Sequence, residues 1–185
     1  MSGPRFATTQ DLISSFPTAA AFLREDGSPE ESLRFIDRCL ADDRIDVAIT
    51  YCAFLLPRRE AVWWGCVCMA DVEALNDRER TCVGLARDWA LHPDEAKRRR
   101  ALERGLESSG RQSGTWMALA AGRSGGNVGA AGADPVAADP AATAQAVRAA
   151  LLSAATRVAA ERRKAIMNRW VALALSYIAD GIDFR

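Results

Sequence analysis

The sequence of 185 residues is long enough to form one domain with its own hydrophobic core. Apolar residues make up 49% of the chain and charged residues 26%, which excludes a wholly disordered protein. The formal net charge is zero, and this balance argues against a dedicated nucleic-acid-binding protein, whose charge is usually basic. We therefore expect a single domain that spans residues 1–185.

Charge is distributed unevenly along the chain. Residues 11–46 contain nine acidic residues and four arginines, whereas residues 148–169 contain six basic residues and one glutamate. The simpler interpretation is that the two ends of the chain pack near each other. The alternative is a polarised surface that steers a charged partner.

The sequence predicts neither a secretory signal nor a membrane span. Residues 1–10 contain one arginine and no apolar run. The longest apolar run, residues 61–70, is much shorter than the roughly 18 residues that a membrane-spanning helix needs. We therefore expect a cytoplasmic protein without a membrane partner.

The first part of the chain is predicted to form short helices that begin at capping residues and prolines. Thr9 can cap a first helix, and Pro17 can open a second. Ser28 is followed by a proline and two glutamates, a pattern that predicts a third helix starting at Ser28. Asp42 or its neighbour can start a fourth helix, which Pro57 ends before opening the next.

The helix that follows Pro57 is predicted to lie at the centre of the core. Residues 61–70 are apolar on every side of such a helix, which is typical of a fully buried element. A β-strand is the competing prediction, but the flanking residues favour a helix. Trp63 and Trp64 diverge by about 100° on a helix. One ring can therefore line a groove for a partner or ligand, or both can be ordinary core residues.

Two further helices are predicted next. Asn76, with a glutamate three residues later, forms a capping signature, and its helix continues to His92. The following proline opens a charged helix that ends near Glu107. Its weak apolar stripe indicates an outer helix. Its basic run, residues 97–100, is interpreted as a solvated face that pairs with nearby acidic residues.

The composition changes at residue 122. Residues 122–139 are rich in glycine and alanine and contain no bulky aromatic residue, so we expect a loop or linker within the domain. Long loops of this kind are usually functional or disordered. Residues 141–180 contain no glycine or proline and predict two helices, or one bent helix, with a break near residues 161–164. Gly181 is the predicted C-cap.

These elements together predict an all-α fold. It would be a compact multi-helix bundle, or a short stack of helix pairs like an α-solenoid, with the Gly/Ala-rich loop before the C-terminal helical segment. No internal repeat of fixed period supports the solenoid alternative.

No residue pattern predicts a catalytic, cofactor or metal site. The five cysteines form no paired Cys-x-x-Cys units, so we interpret them as structural thiols. His92 is the only histidine and is interpreted as a helix-end residue. An enzyme would have to combine it with Glu60 or Asp71 as acid–base groups. The glycine segment at residues 122–127 lacks the lysine that ends a phosphate-binding loop.

Two segments resemble an uncharacterised bacterial family of small helical proteins. They are residues 56–66, LPRREAVWWGC, and residues 120–127, AAGRSGGN. The resemblance covers most of the chain from about Ser28 onward and implies no catalytic residues. It also implies an association with secretion machinery of the contractile, type VI kind, and hence an accessory or adaptor role.

We therefore expect a non-enzymatic helical interaction protein, an adaptor that binds a partner protein. Its candidate contact residues are Trp63, Trp64, Gly125, Gly126 and Asn127. The first alternative is a small-ligand-binding protein or enzyme, with a pocket between helices that is lined by these tryptophans or by Trp89. The second alternative is a homo-oligomer that uses its Ala-rich C-terminal helix.

Overall fold

A computed structural model describes residues 4–108, 110–129 and 134–184 of the chain. This part of the chain contains ten helices. They are α1 (Thr9–Ser15), α2 (Ala19–Leu23), α3 (Ser32–Ala41), α4 (Ile45–Leu55), α5 (Arg58–Met69), α6 (Asp77–Leu91), α7 (Glu95–Glu107), α8 (Ser113–Gly122), α9 (Ala142–Ala155) and α10 (Ala160–Asp180). Within these ranges the only β-type pairings are two isolated bridges. The prediction of an all-α helical bundle is therefore confirmed. None of the described helices has the length and apolar character needed to cross a bilayer.

Helices α4 and α5 form the centre of the core. Every residue of α4 except Asp46 is buried, and residues 61–69 of α5 are buried apart from the half-buried Val67. The predicted central position of α5 is therefore confirmed. Trp64 in α5 donates a hydrogen bond from Nε1 to the carbonyl oxygen of Trp170 in α10, at 2.9 Å. This bond fixes α10 against the central helix and satisfies the buried indole N–H.

Helix α8 packs closely on α6 and α7 because glycine occupies both of its ends. A Cβ atom on Gly114 would lie 2.5 Å from the carbonyl oxygen of Glu79 in α6. A Cβ atom on Gly122 would lie 2.5 Å from the Cα atom of Leu102 in α7. Both distances are shorter than real Cβ contacts, so these helices can approach each other only where the side chain is absent.

Glu79 links three parts of the bundle. It completes the capping box with Asn76, as predicted. Its buried carboxylate also accepts hydrogen bonds from Arg157, at 2.6 and 2.8 Å, and from the backbone N–H of Gly114, at 3.4 Å. Burial opposes ionisation, but these bonds and the Arg157 charge outweigh it and lower the pKa of Glu79. The residue that helps to cap α6 therefore also connects α6 to α8 and to the residues that follow α9.

The predicted start of a helix at Ser28 is wrong, since α3 begins at Ser32. The carbonyl oxygen of Ser28 accepts hydrogen bonds from the N–H of Gln10 and the hydroxyl of Thr9 instead. The segment before α3 therefore satisfies the exposed N–H groups of α1 rather than starting its own helix. The cap of α1 is Thr8 and not the predicted Thr9.

The C-terminal segment forms two helices, as expected, but the break lies at residues 156–159 rather than 161–164. Arg163 belongs to the first turn of α10 and donates hydrogen bonds to the carbonyl oxygens of Ala155 and Val158. A basic side chain at these carbonyls compensates the C-terminal end of α9. Gly181 caps α10 with a φ of +81°, as predicted.

The Gly/Ala-rich segment separates α8 from α9, as predicted. Its described residues, 123–129 and 134–139, contain no helix. Residues 130–133 lie outside the described ranges.

Most of the basic charge between residues 148 and 169 is paired within the fold. Lys164 contacts Asp43 at 2.7 Å and so joins the basic segment to the acidic one. The other ion pairs are Arg157 with Glu79, Arg162 with Glu73, and Arg169 with Asp71. This arrangement favours the packing interpretation of the charge pattern over a polarised surface.

Replacement of Gly114 by alanine should destabilise the protein by about 2 kcal/mol or more, because the added methyl group overlaps the backbone of α6. Gly84 in α6 is the matched control, since a Cβ atom there would have no neighbour within 4 Å. Gly84→Ala should stabilise the protein by about 0.5–1 kcal/mol. Urea unfolding followed by circular dichroism measures both changes. Equal effects of the two substitutions would contradict the close-packing argument.

Candidate functional site

The basic run of α7 pairs with nearby acidic residues, as predicted, but it forms a solvated face only in part. The side chain of Arg98 is buried at 4% exposure and donates hydrogen bonds to the carbonyl oxygens of Gly122 and Asn127 and to the carboxylate of Glu95. Arg100 in the same run is exposed. The guanidinium group of Arg98 carries five N–H donors, and here it donates to backbone carbonyl oxygens at the end of α8 and in the glycine-rich segment that follows.

Residues 122–129 form a segment that we call the anchored loop, because three arginines hold its backbone. In addition to Arg98, Arg99 donates to the carbonyl oxygens of Asn127 and Gly129, at 3.0 and 3.1 Å. Arg58, the first residue of α5, donates to the carbonyl oxygen of Ser124 at 2.8 Å. The loop is therefore bound to two helices through its main chain.

Asn127 organises the anchored loop from within. Its Oδ1 atom accepts hydrogen bonds from the backbone N–H groups of Gly129 and Val136, both at 2.8 Å. Gly126 adopts a positive φ of 61°, and a Cβ atom there would lie 3.1 Å from the Arg98 guanidinium group. Gly125 differs, since a Cβ atom at this position would meet no atom within 4 Å. Of the three predicted contact residues in the loop, Gly125 is the one whose surroundings are open.

The structure places both predicted contact tryptophans of α5 in the core. Trp63 is 5% exposed and Trp64 is fully buried. The ring of Trp63 packs edge-on against Phe184, with centroids 5.7 Å apart. The two rings therefore have a structural role, and a partner could reach neither of them without opening the bundle. Their part in partner binding stays a prediction that this burial does not favour.

A surface that the sequence reasoning missed overlaps the start of the anchored loop at Arg123. Trp116 in α8 is half-buried, and the guanidinium carbon of Arg111 lies 5.1 Å from the centre of its ring. Arg123, the residue at the end of α8, follows Trp116 by seven positions, a spacing that returns to the same side of a helix. We call Arg111, Trp116 and Arg123 the basic–aromatic patch. The seven-residue spacing was the signal available in the sequence.

The two arginines of the basic–aromatic patch lack a carboxylate partner among the described residues. Neither guanidinium group makes an ion pair or a hydrogen bond there, although the backbone N–H of Arg123 donates to the carbonyl oxygen of Leu119. Burial, and then the positive charge of Arg111, lower the pKa of the Arg123 guanidinium group. The patch thus holds two like charges whose repulsion the fold does not compensate.

The predicted acid–base groups are not brought together. His92 is an exposed residue at the end of α6. Asp71 accepts a hydrogen bond from Trp170 Nε1 at 2.8 Å and forms an ion pair with Arg169, whereas Glu60 lies in the first turn of α5. Among the described residues, no group of three or more histidine, cysteine or acidic side chains is arranged to hold a metal ion.

The five cysteines are buried and free. Burial raises the pKa of the Cys52 and Cys66 thiols to about 12. The thiolate form is the reactive form of cysteine, and it is disfavoured in such surroundings. These observations favour the structural interpretation of the cysteines.

Residues 35–178 match the model of a family of unknown function (DUF6931). The chain belongs to this family. The matched region runs from α3 to α10 and contains both the anchored loop and the basic–aromatic patch. The expected membership of an uncharacterised family is thereby confirmed. No curated protein and no solved structure matched the chain.

Replacement of Arg98 by methionine should release the anchored loop, because the carbonyl oxygens of Gly122 and Asn127 lose a buried donor. The carbonyl oxygen of Gly122 is left without its side-chain donor, whereas that of Asn127 keeps Arg99, so stability should fall by about 1–3 kcal/mol. Hydrogen exchange at the N–H groups of Gly129 and Val136 should accelerate by about tenfold or more. Arg100→Met is the control, since Arg100 is exposed in the same helix. Unchanged exchange in Arg98→Met would refute the anchoring role.

Proposed function

We propose that this protein is a non-enzymatic adaptor that binds an acidic segment of a partner protein. The binding surface is the basic–aromatic patch together with the adjoining anchored loop. The observation that supports the proposal is the position of Arg111 and Arg123, two unpaired like charges beside the half-buried ring of Trp116.

The charge of the basic–aromatic patch differs from that of the arginines that the fold itself neutralises. Arg38 binds Glu25 and Glu30, and Arg157 binds Glu79. In those places the fold supplies the carboxylate. At the basic–aromatic patch a partner would supply it, and an aspartate or glutamate between the two guanidinium groups would relieve their repulsion.

The residue types of the patch also suit a protein interface. Tryptophan and arginine are enriched among the residues that contribute most to protein–protein affinity. Trp116 offers the exposed part of a large aromatic ring, while its buried part holds the ring in place. Such a pre-positioned side chain loses little conformational freedom on binding.

The anchored loop would contribute backbone groups at low entropic cost. Its carbonyl oxygens are already fixed by Arg58, Arg98 and Arg99. Gly125 leaves open space above the main chain, so a partner backbone can approach closely. Gly125, Gly126 and Asn127 therefore belong to the proposed interface, with Asn127 acting through the shape of the loop.

We further propose that the cellular setting is bacterial and that the partner belongs to secretion machinery of the type VI kind. This part of the proposal is supported by the resemblance of residues 56–66 and 120–127 to an uncharacterised bacterial family, since that resemblance implies an association with such machinery.

Reversal of both charges in the basic–aromatic patch, Arg111→Glu with Arg123→Glu, should abolish capture of the partner. The tagged full-length protein is purified from its own cells, and partners that co-purify are quantified by mass spectrometry. Loss of a hot-spot contact of about 2 kcal/mol or more corresponds to a roughly 30-fold fall in affinity. An acidic protein recovered with the native chain and lost with the variant would support the proposal.

The matched control carries the same charge change at two other exposed arginines, Arg78→Glu with Arg100→Glu. This control should retain the partner, and circular dichroism should show that both variants are folded. Equal recovery with both variants, equal loss with both, or capture of only a second copy of this chain would contradict the proposal.

A further inference from the structure

A small cavity lies where the start of α5 meets the end of α10. Its volume is about 150 Å³. Its lining includes Leu55, Leu56, Ile178, Tyr177, Glu60 and Arg5. An engineered protein cavity of about this volume accommodates benzene, so the space suits a ligand with a short apolar body. The cavity shares no residue with the basic–aromatic patch or the anchored loop.

Glu60 lines this cavity, and within the described part of the chain its carboxylate makes no hydrogen bond or ion pair. The neighbouring Arg59 is turned away and donates to the carbonyl oxygens of Ala90 and Leu91, at 2.7 and 2.9 Å. Burial raises the pKa of the Glu60 carboxyl group, and the Arg59 charge only partly offsets this. A half-buried carboxylate of this kind is a binding position for a cation.

Arg5 supplies the opposite charge at the wall of the same cavity. Its guanidinium carbon lies 4.9 Å from the ring centre of Phe6 and 5.5 Å from that of Phe16. Arg5 forms no ion pair with Glu60 or with any other carboxylate of the described residues. Arg5 is an exposed residue at the edge of the cavity, and partial burial and the charge of Arg58 lower the pKa of its guanidinium group. One cavity is therefore lined by a carboxylate, from Glu60, and a guanidinium group, from Arg5, that do not form an ion pair with each other.

We propose that this cavity binds a small zwitterion of amino-acid size, with its ammonium group at Glu60 and its carboxylate at Arg5. The side chains of Leu55, Leu56 and Ile178 form an apolar wall for a short aliphatic side chain. A zwitterion matches both charges, whereas a simple amine or a simple acid matches only one. This ligand site goes beyond the proposed adaptor function and does not depend on it.

The test is calorimetric titration of the purified full-length protein with glycine, alanine, valine and leucine. Isobutylamine and isovalerate, which each carry one of the two charges, are titrated in parallel. At least one amino acid should bind saturably with a Kd of about 1 mM or lower, and both single-charge compounds should bind about tenfold more weakly or not at all. No saturable binding by any of the four amino acids, or equal binding of the amine or the acid, would overturn the proposal.

Glu60→Gln should weaken amino-acid binding by about tenfold or more, since the amide keeps the shape but removes the charge. Arg5→Gln should remove the preference for the zwitterion over isobutylamine. Glu161→Gln changes an exposed carboxylate of α10 and should leave binding unaltered. Retained affinity in Glu60→Gln, or an equal loss in Glu161→Gln, would overturn the assignment.

Thermal unfolding separates loss of the ligand site from loss of the fold. Burial disfavours the charged form of Glu60, so the folded state at pH 7 carries a free-energy cost that glutamine does not carry. The Tm of free Glu60→Gln should therefore equal or exceed that of the native chain. A Tm that falls, together with lost binding, would show that Glu60 supports the fold and would overturn its assignment as a ligand contact.

Discussion

The close approach of α8 to α6 and α7 is the constraint on which most of the bundle depends. It requires glycine at positions 114 and 122, where any side chain would enter the backbone of a neighbour. Both ends of α8 then lie within reach of a charged side chain from an adjacent helix. Glu79 bonds the first end and Arg98 the last. The packing of one short helix thereby determines where the two main polar connections of the fold are made.

Several arginines serve the structure as donors to backbone carbonyl oxygens. Arg58, Arg59, Arg98 and Arg163 each donate to one or more main-chain carbonyl oxygens outside their own helix. The planar guanidinium group suits this use because several donors lie in one fixed arrangement. The guanidinium groups of Arg111 and Arg123 make no such bond within the described part of the chain. This difference can be read from a structure but not from composition, where all of them count equally.

Features that depend on neighbouring residues were predictable from the sequence. The capping box at Asn76, the buried character of residues 61–69 and the glycine at the end of α10 are of this kind. Their physical causes act within one or two helical turns, so the local pattern contains them.

Features that depend on distant residues were not predictable in the same way. Arg98 looked solvated because its neighbours are charged, but its acceptor at Asn127 lies 29 residues away. Ser28 has the sequence pattern of a helix cap, but its carbonyl oxygen accepts a hydrogen bond from the N–H of Gln10 in α1. Trp63 and Trp64 form a rare adjacent pair in the sequence, but both are buried. Trp116 has no neighbouring tryptophan in the sequence, yet its ring is the one that reaches the surface.

The family-matched region, residues 35–178, does not coincide with the unit that packs. Leu12 of α1 and Leu23 of α2 are fully buried, and Phe16 lies against Phe54 of α4 with ring centroids 5.5 Å apart. A fragment trimmed to the matched residues would expose these apolar faces to water and invite aggregation. It would also lack Arg5 and with it one wall of the cavity at α5. Sequence similarity shows which residues identify the family. The buried surface shows that an expression clone of this domain must also include α1 and α2.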